Sequence, residues 1–208
     1  MSARMFKSLA FAVAGAAAII AAGCGEYLGD QGRAPVQVVI TALEGAPGDS
    51  DEYGTTLASD VLTKEDGGGG EADSCFVRGD GGQVTMSLVA KNQTAGSGPT
   101  PLNQITITRY RVEYLRSDRP GAVQGVDVPF AFESGVTFTI PTDGTASAGF
   151  TLVRNTAKSE APLMALRRNG LLIQTVARVT FWGRDQSGNE VAVSGDIGIT
   201  FGDFGDYC

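Results

Sequence analysis

The sequence predicts an all-β protein: an antiparallel sandwich of about seven to nine short strands with at most one short helix. Three observations carry this. Apolar residues recur at every second position in segment after segment, which is the period of a strand with one buried face. Glycine, proline, asparagine and aspartate punctuate those segments as turn formers, and 29 of the 208 residues are glycine. Charged residues make up only 19% of the chain, a balance that suits short strands better than long charged helices.

Val36, Val38 and Ile40 share one face of a first strand over residues 36–43. Residues 44–74 form a long connection rich in acids and glycine. Within it, 55–63 reads as a further strand anchored by Leu57 and Val61, and the tetraglycine at 67–70 as a flexible tip. Val84, Met86, Leu88 and Ala90 alternate with polar residues as a half-buried strand, and 91–102 is a loop carrying Gly96, Gly98, Pro99 and Pro101. Ile105 and Ile107 have one parity, and Tyr110, Val112 and Tyr114 the other. That switch of face predicts a β-bulge near Thr108 and Arg109 inside one long strand. After a turn-rich connection at 117–127, Val136, Phe138 and Ile140 mark the next strand. Pro141-Thr142-Asp143-Gly144 turns the chain, and Ala146, Ala148, Phe150 and Leu152 return. Residues 159–168 are the helical candidate, with Ser159 as cap and Pro162 in the first turn. Ile173, Ala177, Val179 and Phe181 form another strand, 185–189 turns, and Val191, Val193, Ile197, Ile199 and Phe201 close the chain.

The first 23 residues have the parts of an export signal. Arg4 and Lys7 are followed by an uncharged run over 9–22 and then Gly23-Cys24. Fourteen residues of helix span about 21 Å, short of the hydrocarbon core of roughly 30 Å, which disfavours a lasting membrane span. Ala21-Ala22-Gly23-Cys24 resembles the lipobox of bacterial lipoproteins, with Ala21 where leucine is usual. The resemblance implies that Cys24 is acylated and becomes the mature N-terminus. Two or three acyl chains, at about 0.8 kcal/mol per buried methylene, would hold the protein on a membrane. Gly25 is not the aspartate of inner-membrane retention, so the resemblance favours the outer membrane, facing the periplasm or the surface. The expected organisation is a signal peptide at 1–23, a tether at 24–35 and a β-sandwich body at 36–208.

Removing the signal leaves fourteen basic residues against twenty-three acidic ones, a net charge of about −9 that repels nucleic acid rather than binding it. The chain contains no histidine, so His-dependent triads, Cys–His dyads and His-containing zinc sites are excluded. With Cys24 taken by lipid, Cys75 and Cys208 remain, an even pair in a compartment that permits disulfides. A bridge between them is expected to fasten the C-terminus to the body.

The segment 178–193, with its Asp-x-x-Gly-Asn turn at 185–189, resembles the late strands of bacterial immunoglobulin-like or fibronectin-III-like domains. Residues 36–204 are similar to uncharacterised immunoglobulin-like bacterial lipoproteins. That resemblance implies a fold and no activity. Four features compete for a role. The tetraglycine lacks the Lys-Ser/Thr of a phosphate loop and reads as flexible chain. The acids of 44–74, among them Asp49, Asp51, Glu52, Asp60, Glu65, Asp66, Glu71 and Asp73, could bind calcium or simply be solvated. Asp185, Asn189 and Glu190 suit a tight turn as well as a ligand set. Arg109, Arg111, Arg116 and Arg119 interleave with Tyr110 and Tyr114, so the tyrosines are expected to pack while the arginines line a surface. Those arginines either pair across strands or contact an acidic partner or glycan. No catalytic, cofactor-binding or metal-ligating residue is assigned. The expected function is a non-catalytic, lipid-anchored envelope module that contacts another envelope protein; a calcium- or carbohydrate-binding module using the acidic loop or Trp182 is the alternative.

Overall fold

Each alternating segment leaves a strand with one apolar face, and the computed structural model buries those faces in one shared core. It describes residues 34–48, 50–65, 74–91, 99–118 and 120–204. Among these are ten strands: β1 (Val36–Ala46), β2 (Thr56–Asp60), β3 (Thr63–Glu65), β4 (Ser74–Phe76), β5 (Asp80–Ala90), β6 (Ile105–Arg116), β7 (Phe132–Ile140), β8 (Thr145–Val153), β9 (Ile173–Asp185) and β10 (Glu190–Gly202). They form a three-stranded sheet in the order β1-β5-β8, a five-stranded sheet in the order β2-β10-β9-β6-β7, and a small β3-β4 ribbon. Every pairing between these strands is antiparallel except that of β2 with β10. The protein is all-β.

Most expected anchors face the core. Val36, Val38, Leu57, Val61, Val84, Met86, Ile105, Ile107, Tyr110, Val112, Tyr114, Ile140, Leu152, Val179, Phe181 and Ile199 are all buried, and Ile40, Leu88, Val136, Phe138, Phe150 and Val193 pack half-buried against them. The bulge expected near Thr108 and Arg109 is present. The register of β6 against both β7 and β9 slips between Ile107 and Arg109, which lets residues of opposite parity on the same strand face the same core.

Two regions differ from expectation. The strand expected over 55–63 divides into β2 and β3, and β3 pairs with β4 in a separate ribbon. Residues 159–168 do not form a helix. A single α-helical turn, α1 (Asn155–Lys158), precedes them, Ser159 is its C-cap rather than an N-cap, and a short 3-10 turn covers Leu163–Leu166. Met164 N donates to Glu160 O in one helical-type bond, but Ala165 N to Pro162 O and Arg167 N to Met164 O are the shorter 3-10 kind, and Lys158, Leu163 and Leu166 are buried along the segment. Ala34, at the end of the expected tether, is already buried, and Lys91 N donates to Pro35 O beside it.

The chain enters at the end of the sheets where Val36 pairs with Ala90. At the opposite end lie Asp80 against Val153, Arg116 against Thr175, and Gly202 against Asp60. The hydroxyls of Tyr110 and Tyr114 on β6 donate across the core to the carbonyls of Thr151 and Leu152 on β8, at 3.2 and 2.8 Å, which ties the two large sheets together near that far end. Burial raises the Tyr114 phenol far above its ordinary pKa, so it remains a neutral donor.

Candidate functional site

On β6 the bulge turns Arg109 and Arg111 outward while the tyrosines pack inward, as the interleaved pattern predicts. Phe150 meets Tyr110 edge-on at 5.1 Å and Phe181 at 5.4 Å. Outside, Arg109 and Arg111 each reach Glu133 on β7 at 3.4 Å, Arg178 pairs with Asp196, and Arg184 with Glu190. Arg116 grips Asp118 through two nitrogens, and Arg119 lies outside the described residues. Arg109 and Arg111 thus share one carboxylate across the strands, and Arg116 meets a carboxylate two residues on, each pair contributing up to about 1 kcal/mol.

Trp182 stands beside the bulge in a cleft of about 270 Å³ lined with Thr108, Arg109, Arg184 and Glu190. The Arg109 guanidinium sits 4.2 Å from the ring centroid, covering one of the two faces a sugar would stack on. The cleft depends on Gly183, where a Cβ would press into the Thr106 carbonyl and stand 2.9 Å from Ile107 Cα. Gly183→Ala is expected to cost about 1–3 kcal/mol by forcing the bulge apart. Gly149→Ala, whose Cβ meets only Gly82 O at 3.9 Å, is expected to change stability little. Urea denaturation of the two variants measures the difference.

The acidic features are turn chemistry or scattered. Asp185 Oδ1 accepts from the Ser187 and Asn189 amides at 2.9 and 2.8 Å, and Oδ2 from the Asn189 side chain at 2.7 Å. Burial alone would raise its pKa, but these donors and the Gly188 amide outweigh it and lower the carboxyl below its ordinary value. Asp51 and Glu52 are exposed and Asp60 half-buried, while Asp49, Asp66, Glu71 and Asp73 lie outside the described residues, as does the tetraglycine. Among the described residues, no three His, Cys, Asp or Glu side chains come together as a metal site. Cys75 is exposed on β4 opposite Lys64. Cys24 and Cys208 lie outside the described residues.

Sequence reasoning missed the most unusual group. Asp80, at the start of β5, and Lys158, at the end of α1, form an ion pair at 2.7 Å with both side chains at most 1% exposed. Asp80 Oδ2 accepts from Ser59 Oγ on β2 at 2.5 Å, and Oδ1 also accepts from the Gly48 amide at 3.1 Å. Behind the pair, Arg167 Nη2 donates to Lys158 O at 2.9 Å. Burial holds the Asp80 carboxyl above its ordinary pKa despite the attraction of Lys158 and the hydrogen bonds from Lys158, Ser59 and Gly48. One signal was available: Asp80 shares its parity with the buried Val84 and Met86, so a carboxylate at that position had to face inward. Its partner, 78 residues away in sequence, had no such mark.

Among the described residues, Val123, Val126, Phe130, Met164, Leu171, Leu172 and Phe204 are exposed and follow or precede strand ends at the side away from Val36, while Val89 and Leu102 are exposed toward the Val36 end, and Tyr53, Phe76 and Leu115 are exposed as well. Leu172 and Phe204 both lie over Gly202. The loop bearing Val123, Val126 and Phe130 is held by its own hydrogen bonds. Val123 N donates to Asp127 Oδ2 at 2.9 Å, Gly125 N to Val128 O at 2.7 Å, and Ala131 N to Gln124 Oε1 at 3.1 Å. No family model matches the sequence and no solved structure matches the chain.

Proposed function

We propose that the chain is a lipid-anchored, non-catalytic immunoglobulin-like β-sandwich of the bacterial envelope, favouring the outer membrane, that holds another envelope protein through the end of its sheets away from Val36. The strand order supports the sandwich reading. With β1, β5 and β8 as strands A, B and E, and β10, β9 and β6 as G, F and C, the order matches the A-B-E and G-F-C neighbours of immunoglobulin domains. Here the fourth strand, β7, joins C rather than E, and β2 adds a parallel edge to G. The core Trp of strand C and the B–F cysteine pair of antibody domains have no counterpart: Trp182 is on β9, and neither β5 nor β9 contains cysteine.

The observation that carries the docking role is the pre-formed loop presenting Val126, 67% exposed, beside two further large apolar side chains. A structured loop that keeps such groups in water marks an interaction surface more often than an accident of packing, and its internal hydrogen bonds spare the complex an ordering cost. The glycan alternative has Trp182 in its support, but Arg109 already occupies a stacking face.

Two measurements test the proposal. Palmitate labelling in cells is expected to mark the wild type and not Cys24→Ala, which should leave the membrane fraction. A photo-crosslinker at Val126 is expected to capture one discrete envelope protein that the same group at Leu102, exposed near the other end, does not. An unlabelled wild type removes the anchor, and identical capture at both positions removes the docking end.

A further inference from the structure

We propose that Lys158 Nζ and Asp80 Cγ condense into an intramolecular amide, a covalent brace between the start of β5 and the segment that follows β8. The inference is independent of the docking role and rests on the geometry of the buried pair. Nζ is 2.7 Å from Asp80 Oδ1, both side chains are out of contact with solvent, and the pair joins positions 78 residues apart. Two donors already address the carboxyl group, Ser59 Oγ on Oδ2 and the Gly48 amide on Oδ1. The Tyr114 hydroxyl, also buried at this end, is committed to the Leu152 carbonyl and stays protonated.

Burial favours the carboxylic acid form of Asp80 over the carboxylate. In that form the lysine proton has moved along the existing hydrogen bond to Oδ1. The amine lone pair then forms a bond to Cγ, and the C=O electron pair moves to Oδ2, where Ser59 donates to the developing oxyanion. A second proton passes from nitrogen to Oδ1, the Cγ–Oδ1 bond breaks, and Oδ1 leaves as water. The ammonium and carboxylate are consumed, one amide and one water are produced, and no oxidant or other reactant is needed. Fixed approach of the two groups replaces the high concentration that such a condensation otherwise requires. A dry site also slows the reverse hydrolysis, and two buried charges disappear.

The test is the intact mass of the purified, fully reduced protein, followed by tryptic mapping. The expected wild type is lighter by one water than the same mature, acylated chain with Asp80 and Lys158 unlinked, and yields a branched peptide joining the segments of Asp80 and Lys158. Asp80→Asn is expected to form the same link with loss of one ammonia, and Lys158→Arg to show its full mass. Ser59→Ala is expected to slow formation on the order of a hundredfold, the cost of one oxyanion donor. A wild type that folds and keeps its full mass after prolonged incubation, with Asp80 and Lys158 on separate linear peptides, overturns the proposal and leaves a plain ion pair. That reading needs only the wild type, so a variant that fails to fold does not block it.

Discussion

Lys158→Ala lowers the unfolding free energy by about 3–5 kcal/mol, the cost of stranding a buried carboxylate without its cation. Asp80 then keeps only Ser59 and Gly48 as partners, and removal of Lys158 strips the largest influence opposing burial, so its pKa rises further. The sign of the pH dependence follows. A carboxyl whose folded pKa lies above its unfolded value favours the folded state fully below the unfolded value, and that contribution is lost as pH rises through the folded value. Lys158→Ala is therefore expected to recover stability on acidification from pH 7 toward the ordinary aspartate range, against the usual acid destabilisation. The double change Asp80→Ala with Lys158→Ala should cost less than the sum of the single changes and lose that recovery. Urea titrations at several pH values read both. A Lys158→Ala protein as stable as wild type at neutral pH would show that the pair contributes nothing.

Loss of the proposed Cys75–Cys208 bridge is the second large effect. It would close a loop of about 130 residues, which chain entropy credits with about 4–5 kcal/mol. The fold makes the bridge reachable. Gly202 is the register partner of Asp60, and Cys75 is the partner of Lys64, four residues further along the chain. Cys75 is thus within about 23 Å of Gly202, a gap covered by the six residues from Gly202 to Cys208 at up to about 20 Å together with the roughly 5–6 Å between bridged Cα atoms. Cys75→Ser and Cys208→Ser are each expected to lower stability by the same amount, with no further loss when combined. Peptide mapping without reductant should recover one linked peptide. Equal and additive losses would mean that the two cysteines act separately.

Strand positions were legible because burial on one face writes itself into every second residue. The bulge in β6 was legible for the same reason, since Ile107 and Tyr110 cannot share a core without an extra residue between them. The 3-10 turn at Leu163–Leu166 was not, because the apolar residues that read as a helix face, Leu163 and Leu166, are equally satisfied by a single turn pinned beneath the sheets. The arginine stripe was read correctly as one face of a strand. Which carboxylates its arginines would meet depended on Glu133, which belongs to another strand, and on how the chain turns at Asp118.

The amino-acid order alone determined that the chain is all-β, which residues turn inward, and where a strand must break register, since these depend on local periodicity and on the conformations that glycine and proline permit. It also carried the resemblance to an export signal and a lipobox. Only the tertiary structure decided that β2 would run parallel to β10, that Asp80 would meet Lys158 out of water, and that the loop after β6 would hold Val123, Val126 and Phe130 exposed. Those are meetings between residues distant in sequence, and nothing local distinguishes a charge that will be paired in a core from one that will stay in water.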